Sequence, residues 1–520
     1  MLILGFTSLS FAVMGYHPGI EDDGIYLSAV KSDLNPALFP HDSEFFRLQL
    51  QATVFDSWVA SFVRVTHIPV AASELLLQLA TILLTLFACW RIARSLFAEE
   101  RAQWAGVALV GAMFTLPVAG TALYILDSHL HARSVATALI LMTVSWIIEG
   151  KRWQAVPMLL VAFVMHPIMA ALGISFCFFL TMALSEPVHE WLQSLNVARA
   201  GSVAASFVPL GWIFEPVSPA WRKALDTRTY YYLYRWHWYE WLGALAPLFL
   251  FWLLWRVAQK RGEILLARFA MAVFAYGIFQ QAVAMTMLGL PALVRLTPLQ
   301  PMRYLHLVYF FLALNAGCLL GKYLLKAVVW RWALFLILFN GTMFAAQRAQ
   351  LGGTYQIEWP GRTTANPWIQ AFEWIKANTP TNAYFALDPR YLAAPGEDYH
   401  SFRALAERSQ LADAIKDTAV VTQVPELGPD WERQVQVQQG WGNFQIADFE
   451  RLKMEFGVDW VLVGYPQPAG LDCHWHNASL AVCQIPQQQW TVRSGQWTEF
   501  DPRCAVFTAH SSLFTVHCPC

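Results

Sequence analysis

Three consecutive carboxylates, Glu21, Asp22 and Asp23, stand in the stretch His17-Pro18-Gly19-Ile20-Glu21-Asp22-Asp23, directly after an apolar segment. Adjacent carboxylates repel unless a cation or a hydroxyl donor comes between them, and the repulsion raises the pKa of at least one. A carboxylate poised in this way is suited to general-base chemistry. Asp42, His17 and His41 in the same loop add hydrogen-bonding or metal-ligating groups. The plainer reading is a solvated loop in which Asp23 caps a helix beginning near Ile25.

A second polar group is Asp127, His129, His131 and Arg133. At helical spacing Asp127 shares a face with His131, and His129 with Arg133, so the group could bind a metal or orient a phosphate. An interfacial turn meeting water and headgroups is the alternative. A third group, Arg295, Arg303 and His306, lies in a stretch punctuated by Pro291, Pro298 and Pro301. Planar guanidinium forks grip phosphate with two contacts, although Arg303 and Tyr304 could equally anchor an interface. His166 sits inside an apolar run, where an ionisable side chain is costly without a role or a partner. Residues 215–240 form an aromatic and basic band, which reads as an interface girdle or as stacking faces for a sugar.

The elements that must position these groups follow from composition. Of the 520 residues, 56% are hydrophobic and only 14% charged, with a mean hydropathy of +0.38. Ordinary soluble domains carry about 25% charged residues, so this is a polytopic α-helical membrane protein. With 35 basic and 36 acidic residues there is no global field to hold nucleic acid. Charge-poor runs fall near 1–16, 72–90, 104–125, 132–149, 155–184, 200–214, 241–255, 264–290, 303–321 and 329–346. Measured against the ~20 residues that cross hydrocarbon, they give about nine to eleven transmembrane helices, depending on whether 155–184 breaks at His166-Pro167. Residues 1–346 are the membrane domain, with a first outer loop at 17–70. Residues 347–520 are a soluble domain.

Short basic connections at Arg91/Arg94/Arg101, Lys151/Arg152, Arg256/Lys260/Arg261 and Lys322/Lys326/Arg331 can all be cytoplasmic. The N-terminus is then inside, and the carboxylate loop and soluble tail are outside. Leu2–Val13 lacks a basic leader region and a small-residue cleavage pattern, so it reads as a retained helix. It is short for a span, which points to a start upstream.

A multi-spanning chain with an acidic pair just after its first helix, an amphipathic first outer loop and a C-terminal outside domain resembles the GT-C superfamily of integral-membrane glycosyltransferases. The resemblance covers the architecture, while the motif is only a few residues long. It implies a polyprenyl-phosphate-linked sugar as donor, a glycan, lipid or protein as acceptor, and a first-loop Asp or Glu as base. Asp22-Asp23 stands where many members carry Asp-Glu, which makes Asp22 the first choice, followed by Glu21 and Asp23. Arg295, Arg303 and His306 would take the donor phosphate. Some members add a divalent metal and others do not; Mg or Mn would fall to Glu21, Asp22 and Asp127. The place implied is the plasma membrane, the bacterial inner membrane, with transfer on its outer face. The rivals are a transporter or flippase of a lipid-linked saccharide, and a non-catalytic assembly subunit; no internal repeat favours transport.

In the tail, a helix over Pro367–Asn378 precedes an apolar run at 383–387, and a helix over 449–456 precedes Val458-Asp-Trp-Val-Leu-Val463. Helix followed by strand, twice, predicts a compact α/β domain. Cys473, Cys483, Cys504, Cys518 and Cys520 lie here, and an oxidising compartment would pair 473 with 483 and 504 with 518 or 520. The Cys473-His474-Trp475-His476 cluster is a weaker zinc candidate because its ligand spacing is poor.

Overall fold

The computed structural model describes residues 1–186, 216–393 and 399–486. The predicted run at 200–214 and the candidates Cys504, Cys518 and Cys520 lie outside these residues.

The chain opens with α1 (Leu2–Met14) and then builds the first loop from α2 (Asp23–Leu34), α3 (Glu44–Leu50) and α4 (Phe55–Thr66). Next come α5 (Val70–Leu96), α6 (Glu100–Ala112), a small hairpin of β1 (Pro117–Val118) and β2 (Leu123–Tyr124), α7 (Ala132–Ile148), α8 (Arg152–Met165) and α9 (Pro167–Leu184). After α10 (Pro219–Thr227) follow α11 (Trp238–Lys260), α12 (Ile264–Gly289), α13 (Leu305–Leu320) and α14 (Val329–Gln350). Among the described residues, six helices are long and apolar enough to cross a membrane: α5, α9, α11, α12, the segment Pro301–Leu325 that contains α13, and α14. Leu2–Met14, Ala132–Ile148 and Arg152–Met165 are apolar but shorter.

One expectation is corrected. The run 104–125 does not form a span, because its helix ends at Ala112 and the chain turns into the β1–β2 hairpin. Residues 155–184, which could have run as one helix or as two, form two. Proline supplies no backbone donor and suits a first helical position, so the break falls at Pro167, and the His166 ring accepts the Met169 N–H as an N-cap.

Small residues set the closest helix approach. A Cβ added at Gly317 on α13 would sit 2.6 Å from the Ala105 carbonyl of α6. Gly317→Leu is therefore expected to cost about 1–3 kcal/mol through overpacking. A lower thermal midpoint in detergent checks this; an unchanged one would contradict the packing.

The ends of the bundle differ in chemistry. Arg91 and Lys151 share Glu149 (2.5 and 2.8 Å), while Lys322 reaches Glu263 (2.8 Å) and Glu99 (3.5 Å), gathering the basic connections at one end. The carboxylate loop lies at the other, since α7 runs from His131 to Glu149, ~25 Å at 1.5 Å per residue.

Beyond α14 come α15 (Pro367–Asn378), β3 (Tyr384–Ala386), α16 (Phe402–Ala406), β4 (Ser409–Gln410), α17 (Lys416–Gln423), α18 (Gly428–Val437), α19 (Ile446–Phe456), β5 (Trp460–Gly464), β6 (Asp472–His476) and β7 (Leu480–Gln484). The strands form one mixed sheet, ordered β4-β3-β5-β7-β6. Alternation along the strands serves two cores: Phe385, Trp460 and Leu462 join Phe372 and Ile375 of α15, while Tyr384, Val461 and Val463 join Phe449 and Leu452 of α19. Cys473 and Cys483 face each other on β6 and β7 and are disulfide-bonded, so that cysteine is not a zinc ligand.

This part is knitted to the first loop. Ser401 N–H donates to the Gly19 carbonyl (2.8 Å), and Lys31 donates to the Ala404 carbonyl (2.7 Å) and pairs with Glu407 (2.8 Å). A Cβ on Gly24 would strike Ser401 at 2.4 Å, so α2 needs glycine there for α16 to approach.

Candidate functional site

The site forms where the N-terminus of α2, the N-terminus of α7 and the N-terminus of α17 converge. A left-handed turn at Glu21 (φ 49°) delivers Asp22 as the residue before α2. Its neighbour Asp23 does not cap the helix. Its carboxylate instead accepts the Gly19 N–H (2.6 Å) inside the protein, where the residue is 2% exposed. The Asp22 side chain retains 34% of its surface.

Three cationic or donor groups surround Asp22. Lys416 Nζ lies 3.1 Å from Oδ1 and 2.7 Å from Glu21 Oε2, joining both carboxylates. His131 Nε2 lies 3.4 Å and Arg133 Nη1 3.8 Å from Oδ2. The histidine's tautomer follows from its role as N-cap of α7: Nδ1 accepts the Arg133 N–H (2.8 Å), so Nε2 carries the hydrogen and donates to Asp22. Burial alone would push the Asp22 carboxyl up, but Lys416, His131 and Arg133 outweigh it and hold it well below the usual carboxylate range. Asp22 is therefore an anion throughout the physiological range.

Asp127 has a different part. Residues 125–131 are not helical, so the predicted helical pairing does not occur; the chain instead folds Asp127 back onto the first turn of α7. Arg133 Nε and Nη2 grip Asp127 at 3.2 and 2.5 Å, and Ser134 Oγ donates to it at 2.7 Å. Asp127 thereby aims Arg133 at Asp22 and is itself buried. His129, also buried, sits with its ring 5.8 Å from that of His131, and the His166 ring lies 6.3 Å from His131 on the other side. Burial lowers the His131 and His129 pKa values, the latter to about 3, which keeps both imidazoles neutral.

Of the predicted phosphate group, Arg303 reaches this site, lining a narrow cleft with Tyr230, Tyr231 and Met302 and interacting electrostatically with Asp22 and Arg133. Its Nε is buried and makes no hydrogen bond to another described group. Arg295 is not part of this arrangement: it lies at the surface and donates to the Pro216 carbonyl (2.9 Å). His306 is buried against the Ile125 carbonyl (2.9 Å), a tie to the loop that carries Asp127.

Other candidates separate. His17 lies 3.4 Å from Glu358, which also holds His400 at 2.8 Å, and so ties the end of α1 to the segment after α14. His41 stacks on Tyr384 with rings 4.5 Å apart, and Asp42 bonds Tyr384 and Gln434, both beyond α14. The aromatic band divides as well: Tyr231 is buried beside Thr422 and Gln300, whereas Tyr234 and Trp238 are exposed.

Among the described residues no group of three or more His, Cys, Asp or Glu side chains could hold a metal ion. Glu21 and Asp22 already bond Lys416, and Asp127 already bonds Arg133; a divalent cation there would meet two positive charges. Held in this way, these residues do not fit a metal.

Lys416 was missed in the sequence. It is an ordinary lysine nearly four hundred positions from the carboxylates, and no spacing rule links them. Asp413 fixes it by accepting the Lys416 N–H (2.6 Å) at the start of α17.

Asp23 carries a pH signature. Burial lifts its carboxyl to about 7, against the Gly19 N–H and Lys31, with Asp127 and Asp22 adding to the rise. An unfolded Asp titrates near ~4, so the fold favours the protonated form; this contribution is complete below ~4 and lost as pH rises through about 7. Asp23→Asn keeps an acceptor for Gly19. It is expected to raise the thermal midpoint above pH 8 and leave it unchanged near pH 4; equal curves at both would exclude the buried acid.

These features define a multi-pass helical membrane protein with a half-open carboxylate, ringed by donors and cations, at the end opposite its basic connections. No protein-family model and no curated protein matches the chain. Among solved structures it is similar to the oligosaccharyltransferase of Archaeoglobus fulgidus, crystallised in complex with Zn and sulfate, at 12% identity and a TM-score of 0.46, covering 89% of this chain and 68% of that one.

Proposed function

We propose that the protein is a GT-C-type membrane glycosyltransferase that moves a sugar from a polyprenyl-phosphate-linked donor to a glycan, lipid or protein acceptor, with Asp22 as general base. The observation that carries this reading is the 34% exposure of Asp22 amid Lys416, His131 and Arg133, while Asp23 is buried and Asp127 is consumed by Arg133. An ionised, accessible carboxylate can take the acceptor's hydroxyl proton. Arg133, Lys416 and Arg303 would then neutralise the leaving phosphate. The acceptor oxygen bonds to sugar C1 as the C1–O bond to phosphate breaks, the phosphate keeps the electron pair, and the proton goes to Asp22.

By the positive-inside rule the end holding Arg91, Lys151, Arg261 and Lys322 is cytoplasmic. Asp22 and the domain from residue 347 then face the outside of the plasma membrane. The test is incubation of purified full-length protein with a panel of polyprenyl-phosphate sugars: release of polyprenyl phosphate with sugar transfer is expected, and silence across the panel with folded protein overturns the reading.

A further inference from the structure

Lys416 belongs to α17, beyond the membrane helices, yet its ammonium ends between Glu21 and Asp22 at the tip of the first loop. Its backbone is rigidly held. Asp413 accepts the N–H groups of Ile415 and Lys416 (2.8 and 2.6 Å), and the next residue, Asp417, is clamped by Arg403 at 2.6 and 2.9 Å. The four-carbon stem is the flexible part, so the ammonium can change partner while the helix stays still. The contact also has a cost for catalysis: with Lys416 in place, Asp22 is a weak base.

We propose that Lys416 is an exchangeable counter-ion, which guards Asp22 in the empty site and passes to the phosphate of the bound donor, so that Asp22 gains basicity only when donor is present. The inference rests on the glycosyltransferase reading. Two anions compete for one cation: the donor's phosphodiester, drawn in by Arg133 and Arg303, carries one negative charge as Asp22 does and gains a second as its bond to sugar C1 breaks, so the ammonium passes to the phosphate as transfer proceeds. Once the ammonium has moved, the lowering of the Asp22 carboxyl by Lys416, the largest of the opposing charges, is relieved. His131 and Arg133 still keep it ionised. Among the described residues, the charged and titratable groups facing Asp22 are Lys416 on α17, Arg133 on α7, His129 and His131 before α7, Glu21, Asp23 and Tyr26 around α2, and Arg303 before α13.

The reading is tested without turnover. Carbodiimide labels protonated carboxyls, so peptide mass spectrometry of the full-length protein across a pH series gives the Asp22 midpoint. Lys416→Met is expected to move that midpoint up by about one unit or more, and Lys416→Arg to leave it low. Farnesyl phosphate, which carries the charge of the leaving phosphate, is expected to raise the midpoint of the native protein by more than that of Lys416→Met, where only direct repulsion acts; an equal rise in both would overturn the exchange. A midpoint unmoved by farnesyl phosphate, or equal in Lys416→Met and native protein, would overturn the proposal. Turnover of a donor with an unmoved midpoint removes the counter-ion role alone; a moving midpoint with no turnover on any donor removes the transferase reading.

Discussion

Asp22→Asn is expected to reduce polyprenyl-phosphate release by ~10²–10⁴-fold, the usual contribution of a positioned general base, while the protein keeps its fold. The amide is nearly isosteric and its oxygen can still accept from His131 Nε2–H, so the α7 cap and the Asp127–Arg133 grip are unaffected. What is lost is the capacity to take a proton and one anionic partner of Lys416. Glu21→Gln removes another partner of Lys416 without removing the base, and Asp23→Asn changes a buried group; both are expected to retain turnover. Turnover persisting in all three variants would remove the mechanism. Because Asp22 is held well below the usual range, native activity is not expected to fall as pH drops from 7 to 5 through titration of this group.

The second large effect falls on stability. Arg403→Ala is expected to cost about 3–5 kcal/mol, since it leaves Asp417 as an uncompensated buried charge. Arg403 bonds both Asp417 oxygens and the Gln410 carbonyl, and neither partner is more than slightly exposed. The damage should concentrate in residues 402–437, read as early protease cutting there and a lower thermal midpoint. Arg403→Lys is expected to recover only part of the loss, because a point charge cannot make the paired contacts of a guanidinium. A stable Arg403→Ala protein with native protease resistance would show that the pair is not required for folding.

Much of the architecture was legible in sequence because it depends on local pattern. Apolar runs marked the membrane helices, His166-Pro167 marked where 155–184 could break, and the β-branched run Val458–Val463 after a helix marked a strand. The run at 104–125 misled because hydropathy sees only apolar content. It cannot see that the chain leaves the helix at Ala112 and turns through Gly120, where φ is 61° and the Trp236 ring occupies the space a Cβ would need.

The sequence by itself determined that three carboxylates follow directly on an apolar segment and that histidines and arginines cluster in other short stretches, since composition and order are enough to say so. Only the tertiary structure decided their roles. Asp23 turns inward because Gly19 needs an acceptor, and Asp127 is spent on Arg133. Arg303 joins the site and Arg295 does not. Lys416 arrives from the far end of the chain because α16 and α17 dock on the first loop. The reason is physical: spacing fixes which side chains share a turn, whereas the charge and accessibility of a carboxylate depend on what the rest of the fold places within a few ångströms of it.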